Sequence, residues 1–243
     1  GDSHLDQAQR LYIKRAKIDV KIIKKESTQS SKYEMFQRLN TGGSPLTDQE
    51  VRNCMLISID RDAFTRMQSL CESAPYQECI ALTDKAKEEQ YDMELVLRFL
   101  ALADASDDTV KSIGDIGEYL DEYMVDQAEA GNLADENQKR KFEGVFALLA
   151  ATVKDDSFRR YDTNDGRFKG GFLISAFEAI ALGVAANLQA WDALGTDAKC
   201  EQLTQKVTEL WQNEQFLAGI GSGKRASQRI PVSVPKGREC IKP

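Results

Sequence analysis

Glu178 stands in the middle of FLISAFEAIALGVAANL, an otherwise apolar stretch of helical character. A carboxylate buried alone in such a helix is costly, so a cation or several hydrogen-bond donors must meet it. Arg98, in YDMELVLRFLALA, interrupts a second apolar helical run and is the expected partner. The pair is either a structural ion pair or a carboxylate arranged for acid–base chemistry. Glu94, one helical turn before Arg98, offers a competing local pairing. His4 is the only histidine, so histidine-based triads and histidine-rich metal sites lack their ligands, and no metal site is expected. Two glycine-rich stretches bear on phosphate chemistry. GIGSGKR at 219–225 has the Gly-Lys pair of a Walker A loop, but Ala218 and Arg225 stand where that loop needs glycine and a magnesium-binding hydroxyl. DGRFKGG at 165–171 is expected to open a helix, either as a plain loop or as an anion site built from free backbone amides.

Another stretch, FQRLNTGGSPLTDQEVRN at 36–53, carries strong local signals. Thr47 and Glu50 form a capping box, Leu46 and Val51 a hydrophobic staple, and Asp48 and Glu50 place negative charge in the first turn. A helix is expected from Thr47 to about Ile59. Other helices are expected at Leu5–Ala16, Ser30–Leu39, Ala63–Glu72, Lys85–Ala103, Ile113–Glu129, Glu136–Val153, Gly171–Leu188 and Ala198–Leu217. Lys85–Ala103 and Gly171–Leu188 are apolar nearly all round and so belong at the centre. Ile18–Lys24 alternates as a strand, Cys71 and Cys79 flank a short turn, and RIPVSVP has too many prolines for a central strand. The expected fold is mainly α: a multi-helix bundle with a short strand or hairpin near its N-terminus. The expected divisions are 1–57, a helical bundle over 58–190, and a last helix with a basic tail over 191–243.

At 243 residues and a net charge of -7 the chain can bury a large core, and as a whole it opposes non-specific nucleic-acid binding. The charge is segregated. Residues 10–25 hold seven Lys or Arg against one acid, residues 104–136 hold eleven acids against Lys111, and the chain turns basic again after Gly221. Lys24, Lys25, Arg225 and Arg229 are expected to form one DNA-binding patch, with the acidic stretch on the opposite side. The cysteines are Cys54, Cys71, Cys79, Cys200 and Cys240, an odd and scattered set that suits free thiols in the cytoplasm. The longest apolar run is short for a membrane span and contains Glu178, so no membrane is expected.

FQRLNTGGSPLTDQEVRN closely resembles the phenylalanine-x-x-x-asparagine region of the ParB-like domain in GmrSD-type restriction proteins, and IDVKIIKK resembles the strand before it. The resemblance is strongest over 18–57 and fades toward 190. It implies a bacterial or archaeal phage-defence protein in which a ParB-like domain hydrolyses a nucleotide and an HNH-type nuclease often follows. It also implies nucleotide or anion binding by Phe36, Arg38, Asn40, Gly42, Gly43, Arg52 and Asn53, while Thr47 and Glu50 serve as the cap. The same glycines, Asn40 and Glu50 can equally be structural, ending one helix and starting the next. The family's nucleotide motif, DGQQR, does not occur, nor does a His-rich nuclease motif. The chain is then expected to be a downstream fragment or a degenerate member, not catalytic alone and without a cofactor of its own; a nucleoside triphosphate would belong to the full-length protein. Its expected partners are the upstream ParB-like nucleotide-binding domain, DNA, or a second copy of the chain. The rival expectations are an autonomous helical protein–protein interaction module with no nucleic-acid role, and an enzyme with an unfamiliar carboxylate-and-arginine site.

Overall fold

The computed structural model describes residues 5–17, 46–221 and 223–243. The strand expected at 18–24 and the helix expected at 30–39 lie outside the described residues. Contacts divide the chain into two compact units, residues 1–39 and 40–243. In the first, a single helix is described, α1 (Gln7–Arg15), closed at its start by a capping box of Asp6 and Gln9.

The second unit is a helical bundle. Its elements in order are α2 (Asp48–Ile59), α3 (Arg61–Cys71), α4 (Ala74–Ile80), α5 (Asp84–Glu88), α6 (Tyr91–Ala103), α7 (Asp107–Ser112), α8 (Ile116–Glu129) and α9 (Glu136–Thr152). A two-stranded antiparallel hairpin follows, β1 (Arg160–Asp162) and β2 (Arg167–Lys169), then α10 (Ile174–Ala186), α11 (Leu188–Asp192), α12 (Thr196–Leu210), α13 (Glu214–Gly219) and α14 (Ala226–Cys240). The protein is mainly α, as its helical periodicity predicts. Among the described residues no helix is long and apolar enough to cross a membrane.

The two helices that are apolar all round are the centre. Every residue of α10 from Ser175 to Ala185 is buried, and so is every residue of α6 from Leu95 to Ala103. Helix α9 packs on α10 and α4 and supplies Phe142 and Phe146, whose rings lie 4.4 Å apart. Tyr76, Phe99 and Phe177 join them, Tyr76 meeting Phe146 edge-on at 4.8 Å. Offset and edge-on ring pairs of this kind add to area burial.

Three expectations are corrected. Lys85–Ala103 is two helices, because Gln90 adopts a left-handed conformation (φ 59°) that breaks the run. Residues 74–80 form a helix with proline in its first turn, where the missing N–H is harmless, so Cys79 is helical and not beside a turn. The basic tail is α14, with Pro231 and Pro235 inside it. Each proline removes a helical hydrogen bond, at about 3 kcal/mol in a helix interior. Packing against α10 offsets this loss: Ile230, Ser233, Val234 and Gly237 are buried. The two backbones meet at Gly183 and Gly237, where an added Cβ on either would strike the other helix's carbonyl. Helix α2 packs against α3 and α8.

Candidate functional site

The end of the quoted motif is held to the bundle by Thr47, Arg52 and Asn53 and braced internally by Gln49 and Glu50. The Thr47 amide donates to Glu50 Oε2 at 2.7 Å, and the Glu50 amide donates back to Thr47 Oγ1 at 3.3 Å. The Thr47 hydroxyl donates in turn to the Glu89 carbonyl at 3.0 Å, fixing the start of α2 to the end of α5. Helical spacing then places Gln49, Arg52 and Asn53 on one buried face. Gln49 donates to Asn53 at 2.9 Å, and Asn53 donates to Gln90 at 3.4 Å.

Arg52 is 2% exposed. Its Nε donates to Asp121 of α8 at 2.6 Å, its Nη1 faces Glu94 of α6 at 3.4 Å, and its Nη2 reaches the Gly117 carbonyl at 3.4 Å. Glu94 Oε1 accepts from Arg98 Nη2 at 2.7 Å, and Arg98 Nη1 donates to Glu178 Oε1 at 3.2 Å. Both pairings open to Arg98 from the sequence are therefore present. Glu178 also accepts two hydrogen bonds from Arg229, at 2.8 and 2.9 Å, and one from Ser233 Oγ at 3.1 Å. A continuous series of alternating charges, Asp121–Arg52–Glu94–Arg98–Glu178–Arg229, thus runs from α8 through α2, α6 and α10 to α14.

The chemistry open to Glu178 follows from a count. An ionised carboxylate has about four acceptor sites, and four donors occupy them. With the side chain fully buried as well, no acceptor remains for a substrate proton. Glu178 positions helices and does not catalyse. Its hydrogen bonds raise the Arg229 guanidinium above its already high range. Burial, foremost, pushes the nearby Tyr91 phenol up to about 12; Arg98 acts against this while Glu94 and Glu178 add to it.

Other expected site residues fare differently. Phe36, Arg38, Asn40, Gly42, Gly43, Lys24 and Lys25 lie outside the described residues. Arg52 and Asn53 are engaged inside the bundle, with two carboxylates around Arg52, so they form an interior joint and not an open anion site. Arg229 does not belong to a DNA-facing patch: its side chain is 14% exposed and turned onto Glu178. Arg225, the N-cap of α14, is exposed. The acidic stretch is not opposite the basic C-terminal segment, because Arg238 Nη1 and Asp107 meet at 2.7 Å. DGRFKGG does not open a helix directly. It turns a hairpin, with Gly166 at φ 63° and the Asp162 carboxylate accepting from the Asn164 and Asp165 amides.

Asp121 and Ser233 were not foreseen. Ser233 lies four residues after Arg229, the spacing that puts both on one face of α14, but that signal has meaning only once RIPVSVP is known to be helical. Asp-Gly between short alternating segments is itself a hairpin signal. Among the described residues no group of three or more His, Cys, Asp or Glu side chains could hold a metal ion. No family model, no curated protein and no solved structure matches this chain.

Proposed function

We propose that this chain is the helical region of a GmrSD-type, nucleotide-dependent DNA restriction protein, acting beside a ParB-like nucleotide-hydrolysing domain and not catalytic by itself. The proposal starts from the FQRLNTGGSPLTDQEVRN resemblance. The observation that supports it most is the use made of the motif's end: Thr47, Arg52 and Asn53 bond α2 to the bundle, while Gln49 and Glu50 brace the helix itself. Residues so used fit a joint between a segment that handles nucleotide and a body that responds. The series of ion pairs leading from Arg52 to α14 gives such a joint a rigid connection across the bundle.

The test is nucleotide hydrolysis. The chain alone is expected to leave ATP and GTP at background rates. Together with a ParB-like domain carrying the nucleotide motif it supports turnover, which Arg52→Met lowers. Robust hydrolysis by the chain alone, abolished by a substitution within it, overturns the proposal.

One observation favours the second reading, an interaction module without a nucleic-acid role: Arg229 is spent inside the fold. Duplex DNA separates the two. The restriction reading expects weak binding that falls steeply with salt as counterions are released, and that weakens in Lys224→Ala/Arg225→Ala. An affinity indifferent to salt, or none at low salt, leaves the interaction module.

A further inference from the structure

We propose that the groove between the β1–β2 hairpin, the start of α10 and the end of α12 binds a phosphate-bearing ligand, with the phosphate against the α10 N-terminus. The groove has a volume of about 680 Å³, within the range of small-molecule sites. The inference is independent of the restriction-protein reading, since none of the described motif residues lines this groove.

Several features converge here. Helix α10 is 13 residues long and its N-cap, Leu173, has no side chain that can accept, so no side-chain cap is made. The opening amides, Ile174, Ser175 and Ala176, have no described acceptor and present the positive end of the helix dipole. Gly170 turns the chain from β2 toward the helix at φ 79°, and an added Cβ at Gly171 would meet nothing, so the approach is open.

The independent observation is a pair of donors without acceptors. Ser175, at the second position of α10, is 7% exposed, lines the groove, and its hydroxyl makes no hydrogen bond with any described group. Trp211, 4% exposed and lining the same groove, has its indole Nε1 buried without a partner. Donors without acceptors in native proteins call for a partner. An oxyanion in the groove supplies an acceptor to the Ser175 hydroxyl, beside the Trp211 indole.

The hairpin adds charge. Its register pairs Arg160 with Lys169, which places both on one face of the ribbon, and both line the groove. Lys169 is held by Asp162 and Asp165. Asp162 also lines the groove, its charge offset by that lysine. Arg160 is exposed and makes no ion pair with a described residue, so its planar guanidinium remains for bidentate contact with phosphate. Leu173, Leu217 and Ile220 form an apolar wall beside this polar end. That wall suits the body of a mononucleotide, while the polar end alone suits free phosphate.

Calorimetric titration of the full chain with inorganic phosphate, AMP and adenosine tests this. Proton–nitrogen spectra of its two tryptophan indoles are recorded alongside. Phosphate or AMP is expected to bind and to shift the Trp211 indole resonance, and adenosine is expected to bind far more weakly than AMP. AMP binding more tightly than phosphate identifies a nucleotide source, and equal affinity identifies free phosphate. Arg160→Ala, on an exposed hairpin position that does not endanger the fold, is expected to weaken binding by about tenfold or more, the loss of a charge-assisted pair. Ser175→Ala weakens it further. Binding of neither phosphate nor AMP at millimolar concentration overturns the inference. So does adenosine binding as tightly as AMP, or an affinity unchanged in both variants.

Discussion

Replacing Glu178 by leucine tests the ion-pair series at the one point where its parts can be separated. In the folded protein Glu178 is fully buried and accepts from Arg98, Arg229 and Ser233. After Glu178→Leu, Arg98 keeps Glu94 at 2.7 Å. Arg229 loses the only carboxylate within ion-pair distance among the described residues, and its side chain is too buried to recover full hydration. Breaking one partner from a buried pair costs about 3–5 kcal/mol. Arg229→Met leaves the opposite remainder: Glu178 keeps Arg98 and Ser233 and loses two charged hydrogen bonds, a loss of roughly 2–3 kcal/mol. In the double variant neither stranded charge exists, and apolar side chains fill the contact between α10 and α14. Its loss should therefore fall well short of the sum, with a coupling of about 2 kcal/mol or more. Urea unfolding followed by far-UV circular dichroism and tryptophan fluorescence measures all three variants, and coincidence of the two probes checks two-state behaviour. Two results refute the reasoning: single losses that add to within about 0.5 kcal/mol, or a Glu178→Leu protein as stable as the parent.

Further outcomes follow from the same contacts. Thr47→Ala removes the α2 cap and the bond to Glu89 and is expected to cost about 1–2 kcal/mol; a thermal melt overlaying the parent places the helix start elsewhere. Gly237→Ala drives a methyl into the Ala179 carbonyl and is expected to cost about 3 kcal/mol or more, the upper end of overpacking. Gly114→Ala, whose Cβ meets nothing, should stay within about 0.5 kcal/mol by the same denaturation assay. Burial pushes the Cys79 thiol from 9.0, and the Tyr91 and Tyr123 phenols from 10.0, up to about 12. The folded protein then holds protons that the unfolded chain has already released, so stability is full below about pH 9 and falls as pH rises toward 12. A urea midpoint that is flat or rising between pH 9 and 11 contradicts this.

What was legible in the sequence was local or obligatory. The α2 cap could be read because Thr47, Glu50 and the first-turn acids lie within four residues of one another. The centrality of α6 and α10 could be read because an all-round apolar helix has nowhere else to go. The Arg98–Glu178 pair could be read because a buried carboxylate requires a donor. The break at Gln90 was hidden, since Lys85–Glu89 and Tyr91–Ala103 each favour helix and only the left-handed residue between them separates the two. Helix α14 was hidden more deeply. Two prolines outweigh local helix propensity, and the packing that holds it comes from α10, some fifty residues earlier. Without α14, Arg229 reads as a surface cation and Ser233 has no evident role. The hairpin groove was half visible: its glycines suggested an anion site, but Trp211 and Ser175 converge on it only through the fold.

The charge segregation along the chain takes on a different meaning once the pairs are traced. A basic C-terminal segment and an acidic middle suggest two opposed surfaces, one drawn to polyanions and one repelled by them. In the structure they are joined. Arg238 of α14 holds Asp107 at the start of α7 and donates to the Leu102 carbonyl at 2.8 Å, while Lys141 holds Asp104 and Arg52 holds Asp121. At its end, α14 is anchored again, where the Ile241 carbonyl accepts from Asn187 and from the Trp191 indole. Acids of the middle stretch thus serve as counter-ions for helices remote in sequence. A helix carrying two prolines lacks two of its own backbone hydrogen bonds, so its position leans more on partners that discriminate by charge and direction. The glycine crossing at Gly183 and Gly237 seats α14 on α10, and the Arg229 and Arg238 pairs, more than two turns apart on α14, add charge and direction to that placement. Blocks of opposite charge in this sequence are therefore instructions for assembling the fold before they are a field for partners.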